Sequence, residues 1–381
     1  MMTEEDSDDE ERSTDEVNVL HEHIFRDVFD PGLGARPHYA TVFGVAFDPF
    51  TDDSFVSSGA DGTVRKWDRP DPEKPHVNTH TWTFDKHPHH LVFHGGEKIF
   101  AVGGSDGRVY VHSGQDYTTQ YYIEGSNPDR QVSSMTWGKA SCSSTVFFAT
   151  EHTGQNQNDG EAYAANYVAG NHKTMYNFSG VPGGGAVMAL DGTGSRLAIV
   201  AGQRSNMARQ SLLVYEPQVL DAQTVLECHL PEFGYITHPP SLSDECHIMD
   251  VQFSPCGRYI AIARDNNCAL IYDIRNATLP LHVFGHVTYS REEMEHRFGI
   301  RGGTQATYGI ASLGWMGHDT LITGGSDGCV RRWDTRRATE RMGGQVVARL
   351  DQPVAHLSFG DDTQQHRYPL IGRYGGQGLC V

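Results

Sequence analysis

Residues 320–334 read TLITGGSDGCVRRWD, and residues 54–68 read SFVSSGADGTVRKWD. Both stretches follow one plan. A short apolar strand ends in small residues, an Asp-Gly pair follows, and a second strand ends in Trp-Asp. Asp-Gly between apolar runs is a strong hairpin signal, because the tight turn demands backbone with φ > 0. The plan recurs at residues 98–112, KIFAVGGSDGRVYVH, and at residues 258–273, RYIAIARDNNCALIYD, where Asn-Asn stands at the turn.

A second pattern lies ahead of each hairpin. An apolar residue, two others, a second apolar residue, one other and an aromatic occur at Val42/Val45/Phe47, Val132/Met135/Trp137, Ile248/Val251/Phe253, Ile310/Leu313/Trp315 and Val354/Leu357/Phe359. Weaker copies are Leu91/Phe93 and Val187/Leu190. The second members fall at 45, 91, 135, 190, 251, 313 and 357, so the intervals are 46, 44, 55, 61, 62 and 44. The short intervals match the ~40–45-residue period of four-stranded propeller blades, and the long ones imply insertions. Fourth strands are expected near residues 81–84, 119–123, 174–178, 225–230, 281–284 and 346–350. One such sheet cannot bury both faces alone, whereas a closed radial set does. The expected fold is all-β: a seven-bladed propeller of four-stranded blades.

The chain resembles the WD40-repeat family at Trp67-Asp68, Trp333-Asp334, the variant Tyr272-Asp273, and Gly285-His286. His38, four residues before Val42, stands where that family places its histidine. The resemblance covers roughly residues 38–381. It implies a buried hydrogen-bonded quartet of His, Ser or Thr, Asp and Trp. The expected set is His38, Ser57 or Ser58 (Ser58 preferred), Asp61 and Trp67, with Thr323, Asp327 and Trp333 as a second set. In the second set the histidine is expected to be displaced by a long insertion. Asp106 is also expected to accept such bonds.

The seventh unit supplies strands near 354–359, 368–374 and 378–381 but no fourth. Similar propellers complete the last blade with their N-terminus. The only apolar material upstream is residues 17–29, VNVLHEHIFRDVF. Val17, Val19, His21, His23, Phe25 and Phe29 suit a closing strand, while Val17, Leu20, Ile24 and Val28 suit a docking helix. The expected division is an acidic, disordered tail at 1–16 and a propeller over 17–381, with insertions at 229–244 and 287–309.

Composition agrees. The 42 glycines among 381 residues fit a turn-rich β-protein, and no apolar run approaches the ~18 residues of a membrane helix. With 17 Phe, 16 Tyr and 5 Trp there is enough core material to exclude a wholly disordered chain. The formal charge is −18, of which the first sixteen residues carry −8. Such a balance disfavours nucleic acid as the main partner. The seven cysteines are odd in number and form no C-x-x-C, so neither a disulfide framework nor a zinc site is indicated. With no apolar leader visible, the expected location is cytoplasmic or nuclear.

No phosphate loop, nucleophile elbow or metalloprotease pattern occurs, so no catalytic residue, cofactor or metal is expected. The histidines at 87, 89, 90 and 94 mark the entry to the second unit, where histidine serves structure. Partner binding is the expected activity. The two long insertions share one face and carry Phe233, Tyr235, Met294 and Phe298, and aromatics on long loops favour partner contacts. The opposite face carries Tyr272-Asp-Ile-Arg275 and Trp333-Asp-Thr-Arg336. These resemble the Trp/Tyr-Asp-x-Arg signature of propellers that serve as substrate receptors of cullin-4 ubiquitin ligases. That resemblance implies Arg275 and Arg336 as docking residues for the ligase adaptor. The alternatives are a histone- or chromatin-complex-binding propeller, drawn from the acidic charge, and, more remotely, an enzyme with a site in the central channel. The expected state is a monomer within a larger complex.

Overall fold

The computed structural model describes residues 38–380 apart from 52, 72, 74–75, 117, 125–129, 153–159, 169–170, 178–184, 202–210, 221–222, 229–247, 266, 276–279, 287–308, 337–343, 351, 360–369 and 374–378. Their regular structure is β throughout, with a single 3-10 turn at Ala140–Cys142. In sheet one the strands Val42–Phe47, Phe55–Gly59, Thr63–Asp68 and Val77–Thr83 pair antiparallel in chain order. Gly62 takes φ +76° and Gly328 φ +71°, as the Asp-Gly turns require. Asn267 reaches φ +66° at the glycine-free turn of the fifth hairpin, and asparagine is among the few other residues that tolerate this region.

The other sheets begin with first strands Pro88–Phe93, Arg130–Trp137, Gly185–Leu190, Ile248–Phe253, Ile310–Trp315 and Val354–Ser358. Every first strand carries the same irregularity. One residue is skipped in its pairing with the second strand: Phe43, His89, Ser133, Ala186, Met249, Ala311 and Ala355. A bulge of this kind bends the strand and raises its twist. Its position fixes the repeat register independently of side-chain type. It also corrects one assignment: the unit-four core residue equivalent to Val45 is Met188, two residues before the expected Leu190. Glycine and valine stand where the other units show their apolar and polar markers, which hid the true phase.

The expectation of seven four-stranded blades, the last completed by residues 17–29, is corrected by the topology. Six described sheets have four strands each. The last, Val354–Ser358, Leu370–Arg373 and Leu379–Cys380, has three. Residues 17–29 lie outside the described residues, so neither a closing strand nor a helix is assigned to them. Within the described residues, the ring closes by face packing. The first strand of sheet one lies against the first two strands of the last sheet. A Cβ placed on Gly372 would come within 3.2 Å of Val42 Cγ1.

The core sits between sheets. Val56, Val64, Trp82, Leu91, Phe100 and Val102 pack sheets one and two together. Ala261, Ile271, Phe284, Leu313, Leu321 and Trp333 do the same for sheets five and six. Each fully buried Val, Leu, Ile or Phe adds ~1.5–3 kcal/mol of transfer free energy. These interfaces therefore hold the ring far more strongly than any surface ion pair.

Polar ties cross the same interfaces near the axis. Ser134 Oγ accepts the Met188 N–H at 2.9 Å. Asp250 Oδ2 accepts the Leu313 N–H at 2.9 Å and the Ser312 hydroxyl at 3.0 Å. Ser312 Oγ in turn accepts the Leu357 N–H at 3.2 Å. Ser134, Asp250 and Ser312 occupy one repeat position, immediately before the second apolar marker. Asp250 keeps a partial opening to solvent, yet protein surrounds its carboxyl group, and burial pushes it up to about 6. His356 holds the same position in the last sheet. Its Nδ1 is buried without a hydrogen-bond partner among the described residues, and burial pushes the ring down to about 4.

Candidate protein-interaction site

The quartet in sheet one is continuous. Trp67 Nε1 donates to Ser57 Oγ at 2.8 Å, Ser57 Oγ lies 2.8 Å from His38 Nε2, and His38 Nδ1 lies 2.9 Å from Asp61 Oδ1. A carboxylate only accepts, so Nδ1 carries the His38 proton. Nε2 of the neutral ring therefore accepts from the Ser57 hydroxyl. Desolvation holds His38 below its ordinary value, despite the pull of Asp61, which keeps it neutral. Burial would raise Asp61, but bonds from His38 and Thr63 and the charge of Arg65 outweigh it and hold the carboxyl well below its usual range.

The serine is Ser57, not the expected Ser58. Strand pairing explains the difference. Ser57 lies opposite Arg65 and shares the face of Phe55 and Trp67, while Ser58 lies opposite Val64 on the other face. A spacing signal was available: Thr323 precedes Asp327 by the same four residues that separate Ser57 from Asp61.

The second quartet is complete as well. Trp333 Nε1 donates to Thr323 Oγ1 at 2.8 Å, His286 Nε2 lies 2.7 Å from that oxygen, and His286 Nδ1 lies 2.9 Å from Asp327 Oδ1. The expected displacement of the histidine by the insertion is thus corrected. Residue 286 closes the preceding sheet and reaches Asp327 from there. Gly325 makes room for it, since a Cβ there would lie 2.3 Å from His286 Nδ1. Asp106, expected to act alike, instead accepts the Tyr110 hydroxyl at 2.6 Å and the Arg108 N–H at 3.2 Å. These carboxylates are consumed by fixed donors, which is structural use rather than general-base use.

The surface chemistry lies where strand three ends. In sheet five, Arg275 Nε donates to Asp273 Oδ1 at 2.9 Å and Nη2 to Oδ2 at 2.6 Å. Arg258 Nε reaches the same Oδ2 at 3.1 Å. The bond from Arg275 is the largest influence on Asp273 and holds it below the usual carboxylate range. In sheet six, Arg336 grips Asp334 through Nε and Nη2, both at 3.0 Å, and its Nη1 lies 3.8 Å from Asp319 Oδ2. Side chains of Arg275 and Arg336 are 61% and 69% exposed, so both remain open to a partner.

A family model described as "WD domain, G-beta repeat" matches residues 35–68 and 239–273. The chain is similar to a solved structure titled "Structure of Dos1 propeller", with a TM-score of 0.62 and 13% identity over 91% of this chain and 82% of that one. The chain has a β-propeller fold and is similar to the WD40 repeat at those two stretches. The likeness to the Dos1 propeller shows the fold alone. No curated protein matches the chain.

In this propeller the expected binding residues Arg275 and Arg336 share one face, at equivalent corners of neighbouring blades. Phe233, Tyr235, Met294 and Phe298 lie outside the described residues. His94, one of the entry histidines, is structural: its Nδ1 accepts the N–H groups of Gly96 and Glu97, and its Nε2 donates to Ser143 O at 3.1 Å. Among the described residues no group of three or more His, Cys, Asp or Glu is arranged to hold a metal ion. Sequence reasoning missed Arg258. Its signal was the hairpin register: Tyr259 pairs with Asp273, which places the preceding arginine beside that aspartate. It also missed Tyr39, 76% exposed beside the Asp61 turn.

Proposed function

We propose that this propeller is a non-catalytic scaffold that binds other proteins through its faces, and that it serves as a substrate receptor of a cullin-4-type ubiquitin ligase. The observation that carries the reading is the pair of exposed Asp-x-Arg corners, Asp273 to Arg275 and Asp334 to Arg336, side by side on one face. Each aspartate orients its guanidinium through two parallel bonds, so the arginine is pre-set before a partner arrives, which lowers the ordering cost of binding. The fold supports the scaffold reading, because WD40 propellers generally bind other proteins.

The test is co-precipitation of the ligase adaptor with wild type and with an Arg275→Ala/Arg336→Ala double variant. Wild-type recovery that falls with the double variant is the expected result; equal recovery by both sinks this docking mode. The charge of −18 favours a second reading, histone binding through long-range steering. Failure to retain core histones at low salt removes it.

A further inference from the structure

The two Asp-x-Arg corners have the same sequence plan but, among the described residues, opposite charge balance. At the blade-six corner one arginine, Arg336, faces two carboxylates, Asp334 and Asp319. At the blade-five corner two arginines, Arg258 and Arg275, share the single carboxylate of Asp273. A third guanidinium joins them from blade four, where Arg196 Nη1 donates to Gly257 O at 3.1 Å. A further carboxylate beside Gly257, Asp191, is buried and taken up by Thr193, Ser195 and the Arg196 N–H. Among the described residues the blade-five corner therefore holds three cationic side chains against two anionic ones.

Its geometry leaves donors available. Arg275 spends Nε and Nη2 on Asp273, and Arg258 spends only Nε. Nη1 of Arg275 and both terminal nitrogens of Arg258 have no hydrogen-bond partner among the described residues. Arg258 is held flat, with its guanidinium carbon 5.1 Å from the centre of the Tyr259 ring. Both side chains are accessible, at 48% and 61%. The exposed thiol of Cys256 lies in the same turn. Burial raises it, but the Ser254 hydrogen bond, backbone N–H groups and the Arg258 charge more than offset this, so it lies below its ordinary value.

We infer that Arg258 and Arg275 form an oxyanion clamp, which captures a carboxylate or phosphoryl group on a side chain of a protein partner. Planar guanidinium groups present paired N–H donors that match such oxyanions. On a chain of charge −18, most of the surface repels an acidic segment, so a local cationic surplus selects where that segment docks. The clamp does not depend on the ligase reading, since any partner with an acidic side chain at this spot satisfies it.

The test is fluorescence anisotropy of two labelled peptides, one glutamate-rich and one carrying phosphoserine, at low salt, with inorganic phosphate as competitor. A local readout accompanies it: the rate of Cys256 alkylation by iodoacetamide, followed by peptide mass spectrometry. Saturable binding of either peptide, slowed Cys256 alkylation, and on the order of tenfold weaker binding in Arg258→Gln and Arg275→Gln are expected. Arg258→Lys and Arg275→Lys keep the charge and should retain part of the affinity. Arg108→Gln, at a part-exposed arginine of blade two, should change nothing. The peptide that binds tells whether the partner's group is carboxylate or phosphoryl. Binding of neither peptide, capture of inorganic phosphate alone, or equal loss in the Arg108 variant overturns the clamp.

Discussion

Removing one hydroxyl should uncover how much of the ring's stability rests on the buried quartets. Thr323→Val keeps the shape of a fully buried side chain but deletes the oxygen that Trp333 and His286 share. Trp333 Nε1 then loses its acceptor. His286 Nε2 loses its donor and cannot recover by exchanging tautomers, because Nδ1 must keep its proton for Asp327. Each buried orphan costs ~1–3 kcal/mol, so the loss should be about 2–6 kcal/mol. Thr335→Val is the matched control, an exposed hydroxyl bonded to Asp319 O, with an expected change within ~0.5 kcal/mol. Urea unfolding followed by tryptophan fluorescence measures both. A cycle with Trp333→Phe isolates the pair, since the indole N–H no longer exists to be orphaned. The coupling should be about 1–2 kcal/mol. A Thr323→Val loss under ~1 kcal/mol, or strict additivity with Trp333→Phe, refutes the view that the hydroxyl is a shared relay.

Gly325→Ala should destabilise by ~2 kcal/mol or more, because the added carbon displaces the His286 ring; thermal unfolding reads it, and a neutral result contradicts the close approach. Asp250, pushed up to about 6, binds a proton in the fold over a range where the unfolded carboxyl, near ~3.9, does not. Stability from this group therefore rises as pH falls from about 6 towards 4, and Asp250→Asn should flatten that slope and gain up to ~3 kcal/mol at pH 7 in urea titrations. His356 works in the opposite sense. Its neutral ring, pushed down to about 4, costs stability as pH falls from about 6.5 to 4, and His356→Gln should remove that acid sensitivity in the same titrations.

Much of the fold was legible because its signals are local. Asp61-Gly62, Asp106-Gly107 and Asp327-Gly328 announce hairpins through backbone chemistry that side-chain context does not override. Strand Thr119–Glu124 and strand Gln345–Arg349 fall within a few residues of their expected places for the same reason. Errors arose where the answer depended on which way a residue faces or on a partner distant in the chain. Ser57 and Ser58 are equivalent in composition and differ only in face. His286 lies 41 residues from Asp327, so no short-range pattern connects them. Arg258 became visible as a site residue only through its cross-strand neighbour, whereas Arg275 stands two residues from Asp273 and declared itself.

His286 also has a topological meaning. It is anchored on the near side of residues 287–308, through its own N–H to Asn267 O at 2.9 Å and through the quartet. On the far side Gly309 exchanges bonds with Ser326, N–H to Oγ at 2.9 Å and carbonyl to N–H at 2.7 Å. Both ends of the excursion are thus moored to the same hairpin. Lengthening a moored excursion costs little, since closure entropy grows only with the logarithm of its length. The two anchors, His286 and Gly309, thus make this junction tolerant: a change in the number of residues between them should cost the ring little stability.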